Sequence, residues 1–252
     1  MSDYNIDEHF NELISLVQKY GLSNPQYVWQ NVITMEELFY CNKEYIKNNL
    51  SESFYNFAKL APDSQPLANY LLKLHNKGVF TFDGQGSLMN YDKLKGKEWV
   101  NYERKDANEH NRYNNYFYSI EQKPYLSCII KKEYLNDLLE YLKNINESIS
   151  NDKINYIITG NDIKFTNIDM NKYNVTRTKF YKKLSEESTS EWQYPTNLWP
   201  NESFSNYICE FCDYIDLYND VIIIKYVALQ LVAQNYGSNI VLEKVLLDFF
   251  TN

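Results

Sequence analysis

Phe10, Leu13, Ile14 and Val17 recur at three- and four-residue spacing between residues 5 and 20, the stripe of an amphipathic helix that stops at Gly21 before a proline-containing turn. Thr34-Met-Glu-Glu37 follows. A threonine three residues ahead of a glutamate lets each side chain satisfy an orphan backbone donor of the other, so a second helix starts at Met35 with Leu38, Cys41 and Tyr45 turned inward. A third helical stretch runs from Phe54 to Leu60 and breaks at Ala61-Pro62. A fourth begins at Pro66, places Leu67, Tyr70, Leu71 and Leu74 on one side, and ends at Gly78 as a left-handed cap. Residues 1–78 are therefore expected to be mainly helical.

Past Gly78 the spacing changes from 3.6 to two. Val79-Phe80-Thr81-Phe82 reads as a strand. Tyr91 to Asn115, polar around the single large apolar Trp99, reads as an exposed connection. Tyr116 to Lys131 reads as two strand arms about a turn at Gln122-Lys123-Pro124, the second arm apolar enough for the middle of a sheet. Helical spacing returns through Leu135, Leu138, Leu139 and Leu142. Ile154–Thr159 and Asp162–Ile168 then flank Gly160-Asn161, a two-residue connection of the kind that closes a hairpin. Leu184 to Ser205 reads as irregular chain anchored by Trp192, Tyr194, Pro195, Trp199 and Pro200. Tyr207 to Tyr218 fits helix and strand equally. Val221 to Gln234 is apolar and β-branched enough for a buried strand or two, and Asn239 stands where it can cap a last helix through Leu242, Val245, Leu246 and Phe249. These elements predict an α+β fold: a mainly helical N-terminal third packed on a central mixed or antiparallel sheet, then a C-terminal strand and helix. Residues 1–252 are expected to form a single integrated domain without internal repeats.

With 44% hydrophobic residues in 252, the chain has ample material for a core. The 32 Asn and 22 Lys against only three Arg reflect AT-rich codons, as in a large DNA virus or an AT-rich protist, and say nothing of activity. A net charge of −8 argues against a dedicated nucleic-acid binder, whose phosphate contacts need clustered cations. The local exception is Lys172 to Lys183, where five basic residues interleave with Tyr173, Phe180 and Tyr181. Val221 to Ala233 is too short to span a bilayer and is interrupted by Lys225 and Gln230, so no membrane span is expected. Four cysteines and an acidic start without a signal peptide fit a cytoplasmic protein, in the host cytoplasm or virion if viral.

Candidate chemistry concentrates after the first strand. Asp83-Gly84-Gln85-Gly86-Ser87 joins backbone freedom to a carboxylate, an amide and a hydroxyl. Cys209 and Cys212 share a two-residue spacing, but a structural zinc site needs four ligands and no second closely spaced pair exists, so neither metal nor cofactor is expected. His75 and Asp83 are close enough in sequence for an acid–base pair, although a histidine beside a helix stop fits better as a cation on the helix dipole. No nucleophile elbow, phosphate loop, metalloprotease helix or dinucleotide fingerprint occurs, which weighs against an enzyme.

TMEEL (Thr34–Leu38), LLKLHNKGVFTFDGQ (Leu71–Gln85) and ALQLVAQNYGSNIVLEKVL (Ala228–Leu246) resemble, in the same order, the landmarks of an uncharacterised bacterial domain family. Gly84 stands in place of that family's serine, Gly86 in place of its proline and Tyr236 in place of its tryptophan. The resemblance implies one integrated fold with Thr81, Gln85 and the Tyr236-Gly237 turn as the positions of interest, and it implies no activity. Two functions follow as expectations. The leading one is a non-catalytic module whose tyrosine-rich surface binds another protein. The other is a small-molecule binder or enzyme with Thr81, Asp83, Gln85 and Tyr236 as a polar ligand-binding cluster.

Overall fold

A computed structural model describes residues 4–53, 59–60, 64–86, 117–160, 163–168, 176–183, 189–195 and 225–251. Helix α1 (Ile6–Tyr20) begins at Asn5, whose side chain accepts from the amides of Asp7 and Glu8, and ends at Gly21 with φ 64°. It buries Phe10, Ile14 and Val17. The short α2 (Asn24–Tyr27) leads through a 3-10 turn to α3 (Met35–Ile46), which carries the expected reciprocal cap between Thr34 and Glu37. Leu38, Cys41 and Tyr45 face the core as the spacing requires.

A 3-10 turn at Gln65–Leu67 opens α4 (Ala68–Asn76), which stops at Gly78. Gly78 takes φ 77°, its amide donates to His75 O, and Val79 N donates to Leu74 O. Val79 and Leu74 are both buried, so the left-handed cap brings its usual apolar clasp. Of the helix expected over Phe54–Leu60 only residues 59 and 60 are described, and they are not helical, while the polar connection at 91–115 lies outside the described residues.

Among the described residues, eight strands make two antiparallel sheets, in the order β1-β3-β8-β4-β5 and β2-β6-β7. They are β1 (Phe80–Gln85), β2 (Phe117–Gln122), β3 (Tyr125–Lys131), β4 (Ile154–Gly160), β5 (Ile163–Thr166), β6 (Thr176–Lys183), β7 (Thr189–Pro195) and β8 (Tyr226–Ala233). The fold is α+β as expected, and the sheets are antiparallel throughout. β8 lies at the centre of the larger sheet, between β3 and β4. The two arms about Lys123-Pro124 do not pair with each other, because β2 enters the smaller sheet and β3 the larger.

Helices α5 (Leu135–Ser148) and α6 (Leu242–Phe249) share one core with the larger sheet, in which Leu138, Leu142, Leu242 and Leu246 join Leu126, Ile130, Leu229 and Leu231. Asn146 ties α5 to β4 by accepting from Ile154 N and donating to Ile154 O. Tyr141 OH donates to Val245 O and ties α5 to α6. Among the described residues no helix is long and apolar enough to cross a membrane.

Three local expectations are corrected. Gly160 pairs with Ile163 inside the ladder, so the hairpin connection is 161–162, one residue later than expected. A Cβ at Gly160 would stand 2.9 Å from Val227 Cγ1, so a side chain there would force Val227 to shift. Asn239 does not cap α6. Val241 is its N-cap, without a side-chain bond, while Ser238 Oγ takes Ile240 N. Within the stretch expected to be irregular, Thr189–Pro195 is a strand, since β6 offers it a ladder that period alone does not reveal.

Candidate functional site

Sequence alternation would put Thr81, Asp83 and Gln85 on one side of a strand or its exit loop. The structure separates them. Asp83, Gly84 and Gln85 continue β1 rather than forming a loop, and Thr81 pairs with Cys128 while Asp83 pairs with Ser127. Phe82 is the extra residue of a β-bulge, and beyond it the alternation is reversed. Residues directly opposite in a ladder share a face. Thr81 therefore looks to the side of Cys128, and Asp83 to the side of Ser127. Gln85 is described in its backbone, opposite Tyr125.

Around the free edge of β1, at Thr81, the surroundings are structural. β1 is an edge strand, and an unpaired edge must be covered. Asn42 of α3 donates to Thr81 O at 2.7 Å, and Ser64 Oγ donates to Gly84 O at 3.1 Å. Asn42 Nδ2 also lies 2.8 Å from His75 Nε2, which must accept if the amide donates, so the ring proton belongs on Nδ1. His75 is buried edge-on to Phe39 and Phe80, and burial, with Lys43 a lesser contribution, lowers its pKa to about 3. A neutral ring cannot act as a cation on the helix dipole. That expectation is corrected: His75 is a core histidine whose polar partner is Asn42. Thr81 Oγ1 and His75 Nδ1 are buried without hydrogen-bond partners.

Glu243, the second residue of α6, faces the same side of the sheet. It is buried, and desolvation outweighs the bond from its own amide to raise its pKa to about 7. The Cys128 thiol is pushed far up by burial and, secondarily, by Glu243.

The opposite face carries the polar groups that could meet a ligand. Alternation along β3 and β8 turns Tyr125, Ser127, Gln230 and Val232 away from Leu126, Cys128, Leu229 and Leu231. One ladder row runs Asp83, Ser127, Gln230, Ile157, and the next runs from the Gln85 position through Tyr125 and Val232 to Asn155. The hydroxyls of Tyr125 and Ser127 are hydrogen-bonded to each other. Tyr125, Val232, Ile157 and Ile168 form an apolar cluster of their own.

Gln230 stands among them, 4% exposed, with neither its Oε1 nor its Nε2 hydrogen-bonded. Leaving one buried polar group unmatched costs about 1–3 kcal/mol, so an amide unmatched at both ends on the central strand calls for an explanation. At the end of these rows, Ala233 N donates to Pro124 O and Gly237 N to Gln122 O, which brings the Tyr236 turn against the β2–β3 connection. Lys123 Nζ lies 4.8 Å from the centre of the half-buried Tyr236 ring, a cation–π contact.

Of the four residues singled out from sequence, then, Asp83 and the Gln85 position share a face, Tyr236 lies at its far end, and Thr81 is on the other side. Gln230 and Ser127 were missed. A signal for Gln230 existed: it is the one strongly polar side chain in the run Tyr226–Ala233, and it read only as an interruption of a membrane span. Cys209 and Cys212 lie outside the described residues. Among the described residues no group of three or more His, Cys, Asp or Glu is arranged to hold a metal ion. No protein-family model matches the chain, and no curated protein matches it significantly.

Proposed function

We propose that the protein is a non-catalytic binder of a small polar ligand, taken up on the face of the larger sheet that carries Asp83, Tyr125, Ser127 and Gln230. The unmatched amide of Gln230 carries this reading. An apolar patch with a few fixed polar groups is how small-molecule sites are built. Binding is preferred to catalysis because the Ser127 hydroxyl is engaged by Tyr125 and not by a base. Thermal denaturation of the purified chain against a library of small polar compounds tests it. A binder raises the melting temperature, and Gln230→Met abolishes that rise. A library without a single binder overturns the reading.

A second reading, an interaction surface for another protein, is favoured by one separate observation. Leu16 and Tyr20, one turn apart on α1, are 39% and 60% exposed, and Tyr27 on the adjoining α2 is 38% exposed. Tyrosine on a helix face suits a protein partner. Copurification from the native source tests it, with Tyr20→Lys expected to release the partner without lowering stability.

A further inference from the structure

We infer that the ligand of the Gln230 face is a planar heterocycle carrying a hydrogen-bond donor and an acceptor on one edge, as an aminopurine does. The inference rests on the reading of that face as a ligand site. Gln230 offers an acceptor and two donors in one amide plane, and both ends are unmatched. A partner that satisfies both at once must present the complementary pair side by side, the way a glutamine amide meets the amino group and ring nitrogen of adenine.

The neighbours fit a flat ring better than a sugar or a charged molecule. Tyr125, Ile157, Ile168 and Val232 form one buried apolar cluster, and they supply apolar surface for a ring. A sugar would strand its several hydroxyls against them. Two of the positions around the amide are small. Ala228 precedes it by two residues on the same face, and Ser127 lies directly opposite on β3. Ile157 is opposite on β4.

The test uses the full chain with 9-methyladenine, which has the paired donor and acceptor, and 9-methylpurine, which keeps the shape and lacks the donor. Titration calorimetry should show 9-methylpurine binding at least about tenfold more weakly. Gln230→Met keeps the unbranched shape, and it should fold with an unlowered melting temperature because it replaces an unmatched amide among apolar neighbours. It should also remove the discrimination between the two purines. Gln230→Leu is the second variant should the methionine pack poorly. Equal affinity for the two purines overturns the inference, and so does discrimination that persists in a folded Gln230 variant. If neither purine binds while another compound does and is lost with Gln230, the ligand class is wrong and the site stands. If nothing of any class binds, the site reading itself has failed.

Discussion

A Cβ added to Gly84 would stand 3.7 Å from the Glu243 carboxylate oxygen. The carboxyl of α6 thus lies over the backbone of β1, within van der Waals reach of the Gly84 position. Among the described residues no cation offsets the burial of Glu243. On its own helix, Lys244 pairs with Asp248 and is exposed. On β3 the titratable group that interacts with it is the Cys128 thiol.

Stability should therefore depend on the Glu243 proton. In the folded protein the carboxyl holds its proton up to about 7, whereas the ordinary value is 4.5. Between those values the folded state binds more protons than the unfolded chain, so stability falls as pH rises. Below about 4.5 the cost is absent, and above about 7 it is complete, on the order of 3 kcal/mol. Glu243→Gln should be more stable than the parent at pH 8 and should lose this slope. Chemical denaturation from pH 4 to 8 measures it, and equal slopes in the two proteins would show that the carboxyl is ionised at no cost.

His75 acts in the opposite sense. Its pKa is about 3 in the folded protein against 6.5 ordinarily, so the unfolded chain takes up a proton below 6.5 that the folded protein refuses. The stability from keeping the ring neutral is present above 6.5 and is lost as pH falls towards 3. Between about 4.5 and 6.5 the two groups oppose each other, and the parent's stability should be nearly level with respect to them. His75→Phe, which suits the Phe39 and Phe80 rings, should uncover the fall with rising pH, and Glu243→Gln should uncover the rise. The same denaturation series on both variants separates them. Parallel curves for the two would refute the assignment.

Three glycines should respond differently to alanine. Gly78 has open space for a Cβ but sits at φ 77°, so Gly78→Ala should cost about 1 kcal/mol through the backbone alone. Gly160→Ala should cost more, because its Cβ would meet Val227 Cγ1 at 2.9 Å on a central strand pair, and Val227→Ala in the same chain should recover part of the loss. Gly84 has ordinary contacts of 3.4 Å and beyond, so Gly84→Ala should be tolerated. Melting temperatures of the three variants, and of the Gly160 and Val227 double variant, give the order.

The helices were legible because their signals are local. The Thr34 and Glu37 cap, Gly21 and Gly78 each act within a few residues of themselves, and Phe10, Ile14 and Val17 of the expected stripe are the buried residues of α1. What escaped depends on the partner strand. Asp83-Gly84-Gln85 has the composition of a turn, and only the pairing with Ser127, Leu126 and Tyr125 makes it strand. The bulge at Phe82, which sends Thr81 and Asp83 to opposite sides, has no local signal, because inserting one residue into a ladder is a relation between two strands. Gln230 stands out in its apolar run, but its surroundings have no local signal, because its neighbours Ser127 and Ile157 come from elsewhere in the chain.

At Asn42 charge and packing can be separated. Its amide donates to Thr81 O on the open edge of β1 and to the His75 ring, both buried. Asn42→Ala leaves two buried acceptors unmatched and should cost about 2–5 kcal/mol. Asn42→Asp keeps the shape but cannot donate, so it sets a carboxylate against the Thr81 carbonyl while placing an anion beside the imidazole. The anion favours the charged ring, and the His75 pKa should then rise into a range where its titration is visible. NMR of the His75 ring protons between pH 4 and 8 should show no titration in the parent and a clear one in Asn42→Asp. A ring that titrates near its ordinary value in the parent would mean that the Asn42 bond and the burial are not what hold it neutral.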